Sequence, residues 1–180
     1  MDLKAIEPGS PDYPLLDSIN REAFPAWERV ETPQLFDLAR QPGAELLGLY
    51  EEDRLIGFMM LLKNQHCGYL LFFAVSGELR ARGYGTAALK ALFRRYEGLP
   101  IALDFEPVDE AAENNAQRIR RKAFYLRSGF HETGLYTRTC GRGFELVCHG
   151  PDPERPTLTA LLEQIHIVFT DFSPRLYDTP

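Results

Sequence analysis

One stretch of the chain passes from an apolar run through a glycine-rich turn into an amphipathic helix pattern: residues 70–93, LLFFAVSGELRARGYGTAALKALF. The run at its start is typical of a strand in the middle of a sheet, where both faces are buried. Gly83 and Gly85 permit a tight turn. Apolar residues then repeat at helical spacing up to Phe93. The stretch therefore predicts a buried strand, a turn and a helix in that order.

The turn carries the most specific chemistry in the sequence. A helix start presents unpaired backbone N–H groups and a partial positive charge. Arg80 and Arg82 add two cationic donors beside it. A phosphate or pyrophosphate group is the natural ligand of such an arrangement. The other interpretation is structural, namely a glycine turn with two solvated arginines.

A dinucleotide is one phosphate-bearing ligand that fits the spacing of the turn. Gly83, Gly85 and Ala88 match the relaxed fingerprint G-x-G-x-x-A. Asp104 lies 19 residues beyond Gly85, where a ribose-binding acid would stand. The dinucleotide turn, however, follows its strand at once and opens a parallel strand–helix–strand series. Here residues 76–82 intervene and a meander of strands precedes the turn, so this is the weaker interpretation.

Outside this stretch, hydrophobic periodicity predicts further strands and helices. Thr32 is the predicted cap of one helix, with Pro33 at the first helical position. The order of the elements predicts an α+β fold, a mostly antiparallel sheet flanked by helices. The predicted strands cover residues 3–6, 44–50, 55–62, 68–75, 100–106, 131–140 and 143–148. The predicted helices begin near Leu15 and at Thr32, and two more cover residues 84–96 and 114–128.

The composition changes after Gly150, which predicts a domain over residues 1–150 and an appendage over 151–180. Prolines make the start of the appendage stiff. An apolar stripe at helical spacing follows and must be buried against the domain or a second subunit. Its role is open between a dimer contact, a lid and a packing brace. The prolines are Pro151, Pro153 and Pro156, and the stripe is Leu158, Leu161, Leu162, Ile165, Val168 and Phe169.

Composition excludes several classes of function for this chain of 180 residues. A formal charge of −6 is unlike a nucleic-acid-binding surface. The longest apolar run, 55–62, is far shorter than the roughly 20 residues that span a bilayer. Three cysteines without a CxxC pair, and histidines without ligand spacing, predict neither disulfides nor a metal site. The start, MDLK, is unlike a signal peptide, so we expect a cytoplasmic protein.

Two motifs together resemble those of the Gcn5-related N-acetyltransferases, the GNAT superfamily. The first is Arg-x-x-Gly-x-Gly, formed by Arg80, Gly83 and Gly85 after an apolar strand. The second is the block 123–130, AFYLRSGF, which is similar to the family's A-x-Y-x-x-x-G-F element. The resemblance covers roughly residues 46–148, with every element in the family's order. It implies a twisted sheet whose central strands splay apart.

The resemblance also implies roles for particular residues. In that family the pantetheine arm of coenzyme A lies between the splayed strands and bonds to the backbone of the first of them, which here covers residues 68–75. The tyrosine of the second block protonates the leaving sulfur, which makes Tyr125 the candidate general acid. The pantetheine contacts would be Phe73, Ala74 and Val75. The pyrophosphate would lie on Arg80, Ala81, Arg82, Gly83, Tyr84, Gly85 and Thr86.

The sequence departs from the family pattern on the helix that carries Tyr125. Arg118 and Arg121 stand where the family often has asparagine and alanine. Arg118 is a candidate contact for the coenzyme's 3′-phosphate, and a solvated helix face is the alternative. No carboxylate occupies residues 69–75, where some relatives keep a base. Glu106, at the end of the next strand, is the first choice for the base, and Asp104 shares its face.

These observations predict an N-acyltransferase that moves an acetyl group from acetyl-CoA to a primary amine by direct attack in a ternary complex. The alternative is an acyl-CoA-binding or regulatory module without turnover. The acceptor would be a small-molecule or peptide amine, and a homodimer is a further expectation. Relatives often border the acceptor site with the segment that here covers 24–31. Phe24, Trp27, Glu28 and Glu31 in it suit a cationic amine with an apolar body.

Overall fold

The computed structural model describes residues 1–139, 141–168 and 175–178. Cys140 in the predicted closing hairpin and Phe169 in the tail stripe lie outside the described residues. The strands are β1 (Asp2–Ala5), β2 (Ala44–Glu51), β3 (Arg54–Lys63), β4 (Gly68–Val75), β5 (Ile101–Phe105), β6 (His131–Thr139), β7 (Arg142–His149) and β8 (Arg175–Tyr177). The helices are α1 (Tyr13–Ala23), α2 (Thr32–Ala39), α3 (Tyr84–Arg95), α4 (Asn115–Arg127) and α5 (Arg155–Val168).

The strands are hydrogen-bonded in the order β1-β2-β3-β4-β5-β7-β6-β8. Antiparallel pairing joins β1 to β2, β2 to β3, β5 to β7, β7 to β6 and β6 to β8. β4 and β5 pair in parallel, with Gly68 opposite Ile101 and Tyr69 opposite Ala102. The mixed, mostly antiparallel sheet with helices between its strands confirms the predicted α+β class. Among the described residues, no helix has the length and apolar character needed to cross a membrane.

The chain divides into two compact units, of which the first comprises Met1–Leu62 and Leu70–Glu97. Its core is formed by the apolar faces of α1, α2 and α3 together with residues of β2 and β3. Asn20 of α1 is buried and donates a hydrogen bond to the Val30 carbonyl at 2.8 Å, which satisfies its amide inside the core. The most deeply buried side chains include Leu16, Ile19, Leu35, Leu38, Leu47, Leu49, Phe58, Met59, Leu89 and Leu92.

The start of α2 differs from the prediction by one residue. Glu31, not Thr32, is the N-cap, and its N–H donates to Gln34 Oε1 at 3.2 Å. Thr32 is already helical, because its hydroxyl hydrogen-bonds to side chains of α1 and does not cap the helix. The hydroxyl donates to Asp17 Oδ1 at 2.8 Å and accepts from Asn20 Nδ2 at 3.3 Å. A buried partner in α1 therefore outweighs the local capping preference.

The second unit comprises Lys63–Tyr69 and Gly98–Pro180. β5 and β7 form its buried centre, where Leu103 lies opposite Val147. The part of the predicted tail stripe whose side chains the structure describes is buried along α5, and the Val168 side chain lies outside that part. β8 adds a strand beside β6 that sequence periodicity did not indicate. The buried residues of α5 are Leu158, Leu161, Leu162 and Ile165. The boundary predicted near residue 150 stays a prediction.

Candidate functional site

The turn that leads into α3 has the backbone expected of an anion-binding helix start. Gly83 caps the helix with a left-handed φ of 84°, and Ala81 is also left-handed, with φ 61°. The Ala87 N–H donates to the Gly83 carbonyl at 3.0 Å. The N–H groups of residues 84–86 precede this first helical bond, so the helix itself offers them no acceptor. They can donate hydrogen bonds to an anion at the positive end of the helix dipole.

The two arginines of the turn are exposed. The Arg80 Nε donates to the Val75 carbonyl at 3.4 Å, and its Nη2 lies 4.0 Å from Glu22 Oε1. Ion pairs between exposed groups contribute about 0–1 kcal/mol, so Arg80 can exchange Glu22 for another anion at little cost. Arg82 is exposed in the same turn. The first unit therefore brings the predicted pyrophosphate residues together with the end of β4.

The end of β4 is held by backbone contacts within the first unit. Phe73 and Val75 are half-buried, whereas Ala74 is buried. The Ser76 N–H donates to the Ile56 carbonyl of β3 at 2.9 Å, so pairing with β3 continues past the last strand residue. The predicted pantetheine-binding residues thus lie in an ordered strand end, five residues before Arg80.

In the second unit, Tyr125 lies on α4 among aromatic rings. Its ring stacks on Phe105 of β5, with centroids 5.4 Å apart and planes 12° apart. Phe130 meets it edge-on at 5.6 Å. Because side chains alternate along a strand, Phe105 and Tyr125 lie on one face of β5 and Asp104 points to the other. The aromatic packing fixes the direction of the Tyr125 side chain, as a proton donor requires.

Glu106, the predicted base, takes part in a charged cluster at the start of α4. Arg118 Nη2 lies 2.9 Å from Glu106 Oε1, and Arg121 Nη1 lies 3.7 Å from Oε2. The Asn114 amide donates to Glu106 at 3.2 Å. Arg118 also donates to Asn114 Oδ1 at 2.7 Å and to the Pro107 carbonyl at 3.0 Å. The two arginines that depart from the family pattern therefore neutralise a carboxylate of their own unit.

Asp104 has a different environment two residues earlier. Its Oδ2 accepts hydrogen bonds from the Tyr69 hydroxyl at 2.7 Å and from the Thr137 hydroxyl. Burial raises the pKa of Asp104, and the two hydroxyl donors oppose that rise. Burial, with the charge of Asp104, also raises the pKa of Tyr69. Among the described residues Asp104 has no ion pair. Sequence analysis identified Asp104 as a candidate but not Tyr69 and Thr137, because these two residues lie on other strands.

The two described cysteines are buried and unbridged. Burial raises the pKa of Cys67 to about 11 and, as the largest effect, that of Cys148 to about 12. Both therefore stay protonated at neutral pH, and a protonated thiol is a poor nucleophile. In the described part of the chain, no group of three His, Cys, Asp or Glu side chains could hold a metal ion.

The predicted acceptor segment, 24–31, follows α1 in the first unit. Phe24 meets Phe72 edge-on at 5.1 Å, so it belongs to the packing of the unit. Glu31 Oε2 lies 2.9 Å from Arg21 Nη2, and Oε1 lies 3.2 Å from Arg29 Nη2. Trp27 is 42% exposed. An exposed tryptophan beside a packed phenylalanine can contact an apolar or cationic molecule.

Comparison with solved structures places the fold among known acetyltransferases. A GNAT-family protein from Bacteroides thetaiotaomicron is 22% identical, with a TM-score of 0.73 over 95% of this chain and 98% of its own. An aminoglycoside 6′-N-acetyltransferase complexed with coenzyme A is 15% identical, with a TM-score of 0.64 over 86% and 100%. The ribosomal-protein-S18-alanine N-acetyltransferase from Escherichia coli is 20% identical, with a TM-score of 0.59 over 84% and 92%.

Sequence comparison agrees with this fold. No protein with a curated description matches the chain. The model of the acetyltransferase (GNAT) family matches residues 13–130, which contain both the Arg-x-x-Gly-x-Gly turn and the block around Tyr125. Since this match covers more than half of the chain and its motifs stand in the expected elements, the protein belongs to the GNAT acetyltransferase family.

Proposed function

We propose that the protein transfers an acetyl group from acetyl-CoA to a primary amine by direct attack in a ternary complex. The observation that carries the proposal is the turn before α3. Its left-handed Ala81 and Gly83, open N–H groups and exposed arginines make a site for a pyrophosphate. Membership of the family supports acetyl transfer as the reaction, and coenzyme A supplies the pyrophosphate.

The proposed step needs three proton transfers. The amine nitrogen attacks the thioester carbonyl, a C–N bond forms, and the C–S bond breaks as the oxyanion collapses. Tyr125 is the proposed donor of a proton to the departing thiolate. A thiolate with a pKa near 8.5 can take a proton from a phenol with a pKa near 10 once the reaction geometry brings them together. The ammonium loses one proton to a carboxylate before it attacks, and the second proton that the nitrogen loses as the amide forms restores the Tyr125 phenol.

Two carboxylates are candidates for that role: Asp104 within β5 and Glu106 directly after its last residue. Glu106 stays the base predicted from sequence, but an incoming ammonium would have to displace Arg118 from it. Among the described residues, Asp104 is held only by neutral hydroxyls, and burial raises its pKa, which helps it keep an accepted proton. We therefore favour Asp104, and the Glu106→Gln variant described below distinguishes the two.

The second candidate function is an acyl-CoA-binding module that catalyses no acyl transfer. The engagement of Glu106 with Arg118 and Arg121 favours it, because this engagement occupies the carboxylate predicted as base. Binding of acetyl-CoA without acetylation of any amine would support the module. Transfer to an amine would exclude it.

The acceptor is proposed to be a small-molecule or peptide amine. The names of two structural relatives, an aminoglycoside and a ribosomal-protein-alanine acetyltransferase, indicate that both kinds of acceptor occur on this fold. Exposed Trp27 in the segment 24–31 supports contact with the acceptor. A homodimer and a cytoplasmic location stay predictions.

Calorimetric titration with acetyl-CoA, coenzyme A and NAD tests the proposal. We expect the wild type to bind both coenzyme A species and not NAD. In Gly85→Glu, a carboxylate at the helix start should repel the pyrophosphate and weaken binding at least about tenfold. Lys90→Gln changes the net charge by the same amount at an exposed site on the same helix, and it should bind like the wild type. Absence of binding to either coenzyme A species would refute the acetyltransferase.

A further inference from the structure

Gly57 of β3 lies against the backbone of β4 with no room for a side chain. It pairs with Leu49 of β2 in the antiparallel register. A Cβ at position 57 would collide with the Ala74 carbonyl oxygen, and it would stand 3.1 Å from the Val75 Cα. It would also lie 2.8 Å from Leu49 Cδ1. The backbone of Ala74–Val75 therefore occupies the space that a side chain would need.

Gly48, on the neighbouring strand, is crowded in another way. A Cβ there would lie 2.6 Å from Tyr50 Cε2, 2.9 Å from Leu55 Cδ1 and 3.0 Å from Ile6 Cδ1. These three atoms belong to side chains, which can change rotamer. At Gly57 the obstacle is main chain, which moves only if the end of β4 moves. The two glycines are thus matched in crowding and differ in what an added methyl group displaces.

The position of the β4 end sets the direction of its peptide groups. The Ser76 N–H donates to the Ile56 carbonyl at 2.9 Å, so it points to β3. Successive N–H groups of a strand point to opposite sides, so the Val75 N–H points away from β3. The Val75 carbonyl is held by Arg80 Nε at 3.4 Å. The contact with Gly57 limits the Ala74–Val75 peptide, which carries the Val75 N–H, and the bonds to Ile56 and Arg80 hold the next peptide, Val75–Ser76.

We infer that Gly57 is a positioning residue, whose missing side chain lets β3 hold the Val75 N–H in place to donate to the thioester carbonyl of bound acetyl-CoA. The inference rests on the proposed function. A donor fixed before the reaction stabilises the developing oxyanion without reorganisation. Displacement by an ångström can remove most of that benefit, which makes the close approach at Gly57 functional as well as structural.

The test compares Gly57→Ala with Gly48→Ala and the wild type. Coenzyme A lacks the acetyl carbonyl, so a lost hydrogen bond to that carbonyl weakens acetyl-CoA alone. We expect the ratio of acetyl-CoA to coenzyme A affinity, measured by calorimetry, to fall about fivefold in Gly57→Ala. Infrared spectra of ¹³C-labelled acetyl-CoA should show a lowered carbonyl frequency in the wild type and Gly48→Ala. Gly57→Ala should show the frequency of the free thioester.

The possible results distinguish a failure of the proposed function from a failure of the role assigned to Gly57. Failure of the wild type to bind acetyl-CoA would overturn both. Normal binding with an unchanged affinity ratio and an unchanged carbonyl band in Gly57→Ala would overturn only the role of Gly57. If Gly57→Ala does not fold, Gly57→Ala/Leu49→Val shortens one of the crowding side chains and is measured instead, beside Leu49→Val alone as its control. Loss of folding in the double variant but not in Leu49→Val would show that Gly57 is needed for the fold and would overturn its positioning role.

Discussion

The Glu106→Gln variant removes the charge that Arg118 and Arg121 neutralise while keeping the shape of the side chain. The Glu106 and Arg118 side chains are 13% and 14% exposed, so the pair is largely shielded from water. Loss of the carboxylate leaves a guanidinium with less compensation in a poorly solvated place. The variant should therefore be less stable than the wild type, whatever its activity.

The magnitude follows from what Arg118 retains. Breaking a fully buried ion pair costs about 3–5 kcal/mol. Here the guanidinium keeps its bonds to Asn114 Oδ1 and the Pro107 carbonyl, and glutamine keeps one acceptor oxygen. We expect a loss of about 2 kcal/mol for Glu106→Gln and about 3 kcal/mol for Glu106→Ala. For a chain of this size the first value lowers Tm by about 4–8 °C.

Urea unfolding followed by circular dichroism measures the free energy of unfolding without adding salt that would screen the pair. Glu78→Gln is the matched control. Glu78 is 82% exposed, and its carboxylate lies 3.8 Å from Arg54 Nη2, so its loss should change stability by less than about 0.5 kcal/mol. Acetyl-CoA binding of Glu106→Gln should equal that of the wild type.

A stability change below about 0.5 kcal/mol in Glu106→Gln would refute the argument that this carboxylate is structural. Should the same variant bind acetyl-CoA normally but acetylate a test amine about 100-fold more slowly, Glu106 would be the base. The combination of lower stability with retained transfer would leave the catalytic role to Asp104.

Two further changes test the second unit. Because burial raises the pKa of Asp104, this carboxyl binds a proton more tightly in the folded chain than in the unfolded chain, and its contribution to stability falls as pH rises from about 4 through the raised pKa. Asp104→Asn should remove that contribution, so the stability of the variant relative to the wild type in urea unfolding should rise with pH; equal slopes would contradict the assignment. Leu161→Ala, at a fully buried position of α5, should cost about 2–5 kcal/mol, whereas exposed Glu163→Ala on the same helix should cost less than about 0.5 kcal/mol, both by thermal unfolding.

Local chemistry explains which elements could be predicted from sequence. The strand over Gly68–Val75 and the start of α3 at Tyr84 have the predicted bounds. An apolar run and a glycine turn can be recognised from a few adjacent residues, without knowledge of distant partners. The end of α4 before Gly129, which has φ 95°, follows from the same kind of signal.

Elements that depend on distant partners could not be predicted this way. The cap of α2 moved from Thr32 to Glu31 because a hydroxyl found partners in α1. β8 is three residues long, and its pairing with β6 carries no periodicity of its own. The hydroxyls of Tyr69 and Thr137 reach Asp104 across 35 and 33 residues of sequence. One signal did exist, since an aspartate inside the apolar strand IALDF needs buried donors.

The helix α4 carries a basic run, Arg118, Arg120, Arg121 and Lys122. This run shows why a departure from a family pattern needs a structural explanation before a functional one. Arg118 and Arg121 neutralise Glu106, and Lys122 contacts Glu145 at 2.7 Å and also Glu132. Three of the four cations of the run are therefore paired within their own unit, so the presence of Arg118 and Arg121 in place of asparagine and alanine is no argument against coenzyme binding. The coenzyme proposal depends instead on the turn before α3, whose helix start presents N–H groups that the helix cannot use.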